Sequence, residues 1–109
     1  MSFDEGLAKQ VRTLISSEHP LKEKQMFGGL AFMVNGHMCC GIVGEDLVVR
    51  TGPDGYHGAL SQPHARPMDF TGRPLRGFVY VGPRGYHSTL MLRSWIQRGL
   101  RFVLSLPPK

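Results

Sequence analysis

The chain predicts a single two-layer α+β domain spanning residues 1–109. An N-terminal helix, a short middle helix and a long C-terminal helix pack on a mainly antiparallel sheet of about five strands. Three observations predict this. Apolar residues recur at helical spacing near both ends of the chain. Short apolar runs fill the space between, separated by glycine-rich turns. Asn35-Gly36 joins two of those runs, and an Asn-Gly pair in that setting marks a tight hairpin, because a type I′ turn needs positive φ twice.

The first helix is "SFDEGLAKQVRTLISS". Leu7, Val11, Leu14 and Ile15 fall on one helical face. Ser2 and Glu5 fit a capping box, in which each side chain satisfies a free backbone N–H. Pro20 ends the helix by disfavouring helical geometry at His19. Strands follow at Lys24–Phe27, Leu30–Val34, His37–Val43 and Leu47–Arg50. Gly28-Gly29 marks a bulge or a sharp bend, and Gly44-Glu45-Asp46 makes a second tight turn. "GPDGYHGALSQP" is a short helix with Pro53 in its first turn. "HARPMDFTGRPLRG" is a loop with at most a short strand at Met68–Phe70, since prolines break anything longer. "GFVYVG" is a strand. The last helix runs from about Ser88 to Leu106. Leu92, Trp95, Ile96, Gly99, Phe102, Val103 and Leu106 share its broad apolar face. Arg93, Ser94, Gln97, Arg98 and Arg101 share the opposite arc, with Leu100 and Leu104 between.

The start of the chain has acids and no apolar core of a signal peptide, and no apolar run approaches the length of a membrane span. A cytoplasmic, reducing location is expected, with no membrane contact. The net charge of +5 makes nucleic acids and other anions plausible partners.

"HMCCGIVG" raises the question of metal or redox chemistry. Register around Asn35-Gly36 pairs Val34 with His37, Met33 with Met38, Phe32 with Cys39 and Ala31 with Cys40. Alternation then sends Cys39 and Cys40 to opposite faces, which opposes joint ligation and a vicinal disulfide. The chain has no second cysteine pair of the C-x-x-C kind. Packing is the expected role, with no metal and no cofactor. The same register makes both sheet faces apolar, whereas a half-solvated antiparallel sheet alternates apolar with polar residues. Both faces should therefore be covered. Either a second subunit covers one of them, giving a homodimer for which Leu100 and Leu104 also speak, or helices cover both.

No glycine-rich phosphate loop is present, and no catalytic constellation stands out. Asp69 lies in "RPMDFTGRP" between Arg66 and Arg73. It reads first as a pin for that loop through salt bridges and turn hydrogen bonds, and second as part of an anion or small-molecule site, or a minor enzyme site, with both arginines. Arg50, Arg66, Arg73 and Arg76 concentrate in the middle of the chain near Phe78 and Tyr80. Arginines interleaved with aromatics suit phosphate contacts. Arg50, Arg66, Asp69, Arg73 and Arg76 are therefore the candidate anion or nucleic-acid contacts. The arginine arc of the last helix fits either a solvated face or a phosphate-facing one.

With these stretches placed, the chain resembles the N-terminal domain of the TfoX/Sxy competence-regulator family. "DEGLA" at Asp4–Ala8, "MFGG" at Met26–Gly29, "NGHMCCG" at Asn35–Gly41, "HARPMDFTGRP" at His64–Pro74, "GFVYV" at Gly77–Val81 and "SLPPK" at Ser105–Lys109 carry the resemblance in order. It implies an α+β domain without catalytic residues. It also implies a part in switching on bacterial DNA-uptake genes together with a cyclic-AMP-responsive activator. The named regulators carry a further C-terminal helical domain, so the resemblance covers their first domain. A non-enzymatic regulatory module, contacting nucleic acid or a protein partner through a basic loop face, is the expected function.

Overall fold

The computed structural model describes residues 3–69, 72 and 74–109. Helix α1 (Glu5–Ser16) buries Leu7, Ala8, Val11 and Ile15, the stripe its spacing demands. Its N-cap is Asp4, whose carboxylate accepts a hydrogen bond from the Leu7 N–H at 3.0 Å. Ser2, expected in that role, lies outside the described residues. Strands β1 (Lys22–Met26), β2 (Gly29–Val34), β3 (His37–Val43) and β4 (Asp46–Arg50) follow as a meander. Asn35 at φ 55° and Gly36 at φ 82° supply the two positive dihedrals of the hairpin turn. The expected bend at Gly28-Gly29 is a turn of Phe27 and Gly28 between β1 and β2, and Gly29 already begins β2.

Helix α2 (Gly52–Leu60) comes next, then strands β5 (Ala65–Pro67) and β6 (Phe78–Val81), and finally helix α3 (Thr89–Leu104), capped by Ser88. The sheet has six strands in the order β1-β2-β3-β4-β6-β5, every neighbouring pair antiparallel. The sixth strand is β5, within the stretch read as a loop. It has three residues and ends on proline, which an edge strand tolerates because its outer N–H positions need no partner. The expected short strand at Met68–Phe70 does not form over Met68 and Asp69, and Phe70 lies outside the described residues.

Helices do not cover both faces of the sheet. All three contribute to one core, where Leu7, Val11, Ile15, Tyr56, Leu92, Trp95, Ile96 and Val103 meet Phe32, Ile42, Leu47, Val49, Val79 and Val81. The opposite face holds a smaller cluster, Ala31, Met38, Val48, Met68 and Tyr80, flanked by Met26, Phe27, Met33, Val43 and Phe78. Both faces are apolar, as the register required. The chain closes part of the second with its own Phe27 turn and with Met68, which is 2% exposed.

The cysteines depart from the expected register. A β-bulge interrupts the β2–β3 pairing between Phe32 and Met33, so Phe32 faces Cys40 and Ala31 faces Gly41. Cys39 is the extra residue. A bulge places two residues of one strand against one of the other, which breaks the strict alternation. Cys39 and Cys40 therefore both join the helix-side core, fully buried and unpaired as a disulfide. Their side chains interact, and that hydrogen bond, followed by burial, pushes the Cys40 thiol well above its ordinary range. A buried thiol held in that form is a packing group rather than a nucleophile.

Candidate functional site

The face without helices carries more basic than acidic side chains. Strand alternation and register decide which side chains share it. Lys22 stands opposite Met33 and Lys24 opposite Ala31, so both lysines belong to this face. Glu23, between them, belongs to the other, where it pairs with Arg12 of α1 at 2.5 Å. At the far side of the sheet Asp46 and Arg50 alternate with the helix-side Leu47 and Val49. Arg66 of β5 pairs with Tyr80 of β6, and its guanidinium lies 4.9 Å from the Tyr80 ring centroid.

Asp69 keeps its expected place in a turn, but Arg66 is not its partner. Arg66 binds the Asp46 carboxylate at 2.6 Å rather than Asp69. Asp69 instead holds its loop through its backbone, its carbonyl accepting from Gly72 N–H at 2.8 Å. Its charge reaches Tyr80. The phenol there sits above its ordinary range because of burial first and Asp69 second; Arg66 opposes the shift and Asp46 adds to it. Asp46, Arg66, Asp69 and Tyr80 thus form one electrostatic neighbourhood. Arg73, the second expected partner of Asp69, lies outside the described residues.

Arg50 stands at the end of β4, where its guanidinium lies 5.6 Å from the Phe78 ring and 5.2 Å from that of Phe102 on α3. Two aromatic contacts fix a side chain that would otherwise be free to rotate. Arg76 is exposed in the turn leading into β6. The described candidate arginines, Arg50, Arg66 and Arg76, therefore do not form one cluster. Arg50 and Arg66 border the helix-free face at separate places, and Arg76 stands on the loop beside it.

Lys22 and Lys24 were missed as candidates, although "KEKQM" carries the pattern. Alternation puts Lys22, Lys24 and Met26 on one side, and hairpin register with β2 says which. The result is an apolar floor, Met33 and Phe78 partly exposed over buried Met38 and Val48, bordered by Lys22 and Lys24 on one side and by Arg50 and Arg66 on the other. Asp46 is spent on Arg66. Such an arrangement can hold a polyanion by Coulomb attraction and hydrogen bonds from Arg and Lys. Among the described residues, no group of three or more His, Cys, Asp or Glu side chains could hold a metal ion. Among the same residues, no helix is long and apolar enough to cross a membrane.

No curated protein sequence matches this chain. The family profile of the TfoX N-terminal domain matches residues 13–103, from the last turn of α1 almost to the end of α3. That match takes in every strand of the sheet and both later helices, so the chain belongs to the TfoX N-terminal domain family.

Proposed function

We propose that the chain is a non-enzymatic regulatory module of the cytoplasm that contacts nucleic acid through the helix-free face of its sheet. Membership of the TfoX N-terminal domain family supports a competence-regulator-like role. The observation that carries the nucleic-acid reading is the basic border of Lys22, Lys24, Arg50 and Arg66 around an apolar floor. Exposed Arg76 extends it on the loop side. Phosphate contacts of this kind supply affinity without reading sequence.

Charge also argues about the occupant. A second copy laid on the same face would bring like-charged borders together, whereas a polyanion neutralises them. Self-association as a homodimer is better supported on the helical layer, where Leu104 of α3 is 44% exposed. Light scattering at micromolar concentration tests it, and a monomeric mass removes the dimer from the proposal.

The binding test is fluorescence anisotropy with labelled single- and double-stranded oligonucleotides at low and physiological salt. Binding in the micromolar range that falls steeply with salt is expected, and alanine at Lys24 or Arg66 should lower both affinity and salt slope. No binding at low salt would overturn the reading.

A further inference from the structure

On the opposite layer, α3 runs beside an open cleft that the nucleic-acid reading does not use, its other wall formed by α2 at one end and by Gln62, Pro63 and Gly85 at the other. It has two lobes. One, of about 300 Å³, has Leu90, Met91 and Trp95 of α3 along its wall. The other, of about 270 Å³, has Phe102 and Arg101 of α3 facing Asp54 of α2. Arg98 lines both lobes and stands between them. We propose that this cleft binds a small organic anion, a phosphate or carboxylate carried on a flat apolar body.

Three properties point to that class. Arg98 and Arg101 are three residues apart on one helix, so their side chains are neighbours and repel. Among the described residues the ion pairs are Arg12–Glu23 and Arg66–Asp46, so neither cleft arginine has a carboxylate within salt-bridge reach. The resulting positive charge favours an anion between them. Arg98 is also held in place: its guanidinium lies 5.2 Å from the Trp95 ring centroid, while the Trp95 indole N–H donates to the Gly85 carbonyl at 3.0 Å. A fixed guanidinium loses less freedom on binding, which favours affinity.

The aromatic walls define the remainder of the ligand. Trp95 in one lobe and Phe102 in the other can pack against a ring beside the charged group. Both lobes lie at or below the small end of ligand pockets, roughly 300–1,000 Å³. A single ring with one anionic group suits the lobe of Phe102, with its charge between Arg98 and Arg101. Asp54 faces the same space and must repel such a ligand.

Trp95 is the only tryptophan in the chain, so its emission reports on this cleft. Phenyl phosphate, inorganic phosphate, benzoate and phenol are the probes, each titrated into the full chain with calorimetry alongside. Phenyl phosphate or benzoate should quench or shift the emission saturably, and whichever binds more tightly identifies the anionic group. Inorganic phosphate and phenol should each bind at least about tenfold more weakly, since each lacks half of the recognition.

Arg101→Ala should weaken the aryl anion about tenfold or more, the loss of a charge-assisted hydrogen bond. Asp54→Asn should strengthen it. Arg93→Ala, on the exposed arc of α3, and Lys24→Ala, on the sheet, should change nothing; circular dichroism checks that each variant is folded. Absence of saturation up to about 10 mM would overturn the proposal. So would equal losses in Arg93→Ala and Arg101→Ala, or phenol binding as well as phenyl phosphate. The Lys24→Ala control keeps this result separable from the fate of the nucleic-acid reading.

Discussion

Phe32 and Met33 are neighbours in β2, yet they stand on opposite faces of the sheet that are closed to different depths. Phe32 is fully buried beneath the three helices, in a core that also takes in Leu92 and Ile96. Met33 is only partly buried on the other side, in a thin cluster closed by a turn and a loop. The helix side invests in packing. The helix-free side keeps an apolar floor shallow enough for Lys22, Lys24, Arg50 and Arg66 to border it. On the proposed nucleic-acid reading, one sheet separates stability from recognition, and substitutions on the two sides should differ in kind as well as in size.

The largest effect is expected from that adjacent pair. Phe32→Ala should destabilise by about 3–5 kcal/mol, the usual cost of emptying an aromatic site in a closed core. Met33→Ala should cost less, about 1–2 kcal/mol, because part of its surface already meets water. Urea unfolding of both variants measures the difference. Equal losses would mean that the second face is as closed in solution as the first.

The next effect tests how tightly the helices sit on the sheet. Gly99 of α3 rests against the bulge at Cys39, where an added Cβ would stand 2.5 Å from the Cys39 carbonyl oxygen and 3.1 Å from its sulfur. Backbone cannot retreat as the end of a flexible side chain can. Gly99→Ala should therefore cost about 1–3 kcal/mol even though alanine is the better helix former. A stabilised variant, read by thermal melting, would show that α3 can lift away from the bulge.

A smaller change is expected at Tyr86, which ties the segment before α3 to the β3–β4 turn. Its hydroxyl donates to the Glu45 carbonyl. Burial first, then Asp4, Glu45 and Asp46, push its phenol from 10.0 up to about 12. The raised value means that the folded state holds the proton more tightly than the unfolded one. Its contribution to stability is intact below pH 10.0 and is lost as pH rises toward about 12. Tyr86→Phe should lower stability at neutral pH by about 0.5–1.5 kcal/mol and flatten the alkaline decline. An unchanged alkaline limb would assign that decline to other groups.

The two faces were unequally legible in the sequence. Helical spacing in α1 and α3 and the Asn35-Gly36 turn specify the helix side, because burial there obeys simple periodicities. The bulge at Cys39 does not follow from alternation, since one extra residue leaves no compositional mark, and the expected pairing of Phe32 with Cys39 missed it. β5 was hidden for a related reason: three residues ending on Pro67 look like loop until β6 supplies a partner. On the charged side, Arg50 and Arg66 were visible as residue types, but Arg66's partner was not. Asp69 is three residues from Arg66, Asp46 twenty, and only the sheet order β4-β6-β5 brings the distant carboxylate into reach. Lys22 and Lys24 were legible in principle, needing only the β1–β2 register.

Arg66 gives the smallest stability effect and the clearest separation of roles. Its bond to Asp46 is solvent-exposed, and such pairs are worth about 0–1 kcal/mol. Its contact with Tyr80 adds a similar amount. Arg66→Ala should therefore barely move the melting temperature, yet it removes one of the cations bordering the floor and should reduce the salt slope of oligonucleotide binding by about one. Asp46→Asn makes the opposite test. It leaves the Arg66 charge in place and removes the carboxylate that neutralises it, so binding should tighten while stability changes little. If Asp46→Asn weakens binding as Arg66→Ala does, Asp46 serves to hold Arg66 in its binding position, and the ion pair belongs to recognition as a unit. If neither variant alters binding while Lys24→Ala does, the nucleic acid tracks along the β1 edge, and Arg66 and Asp46 merely close the far edge of the sheet.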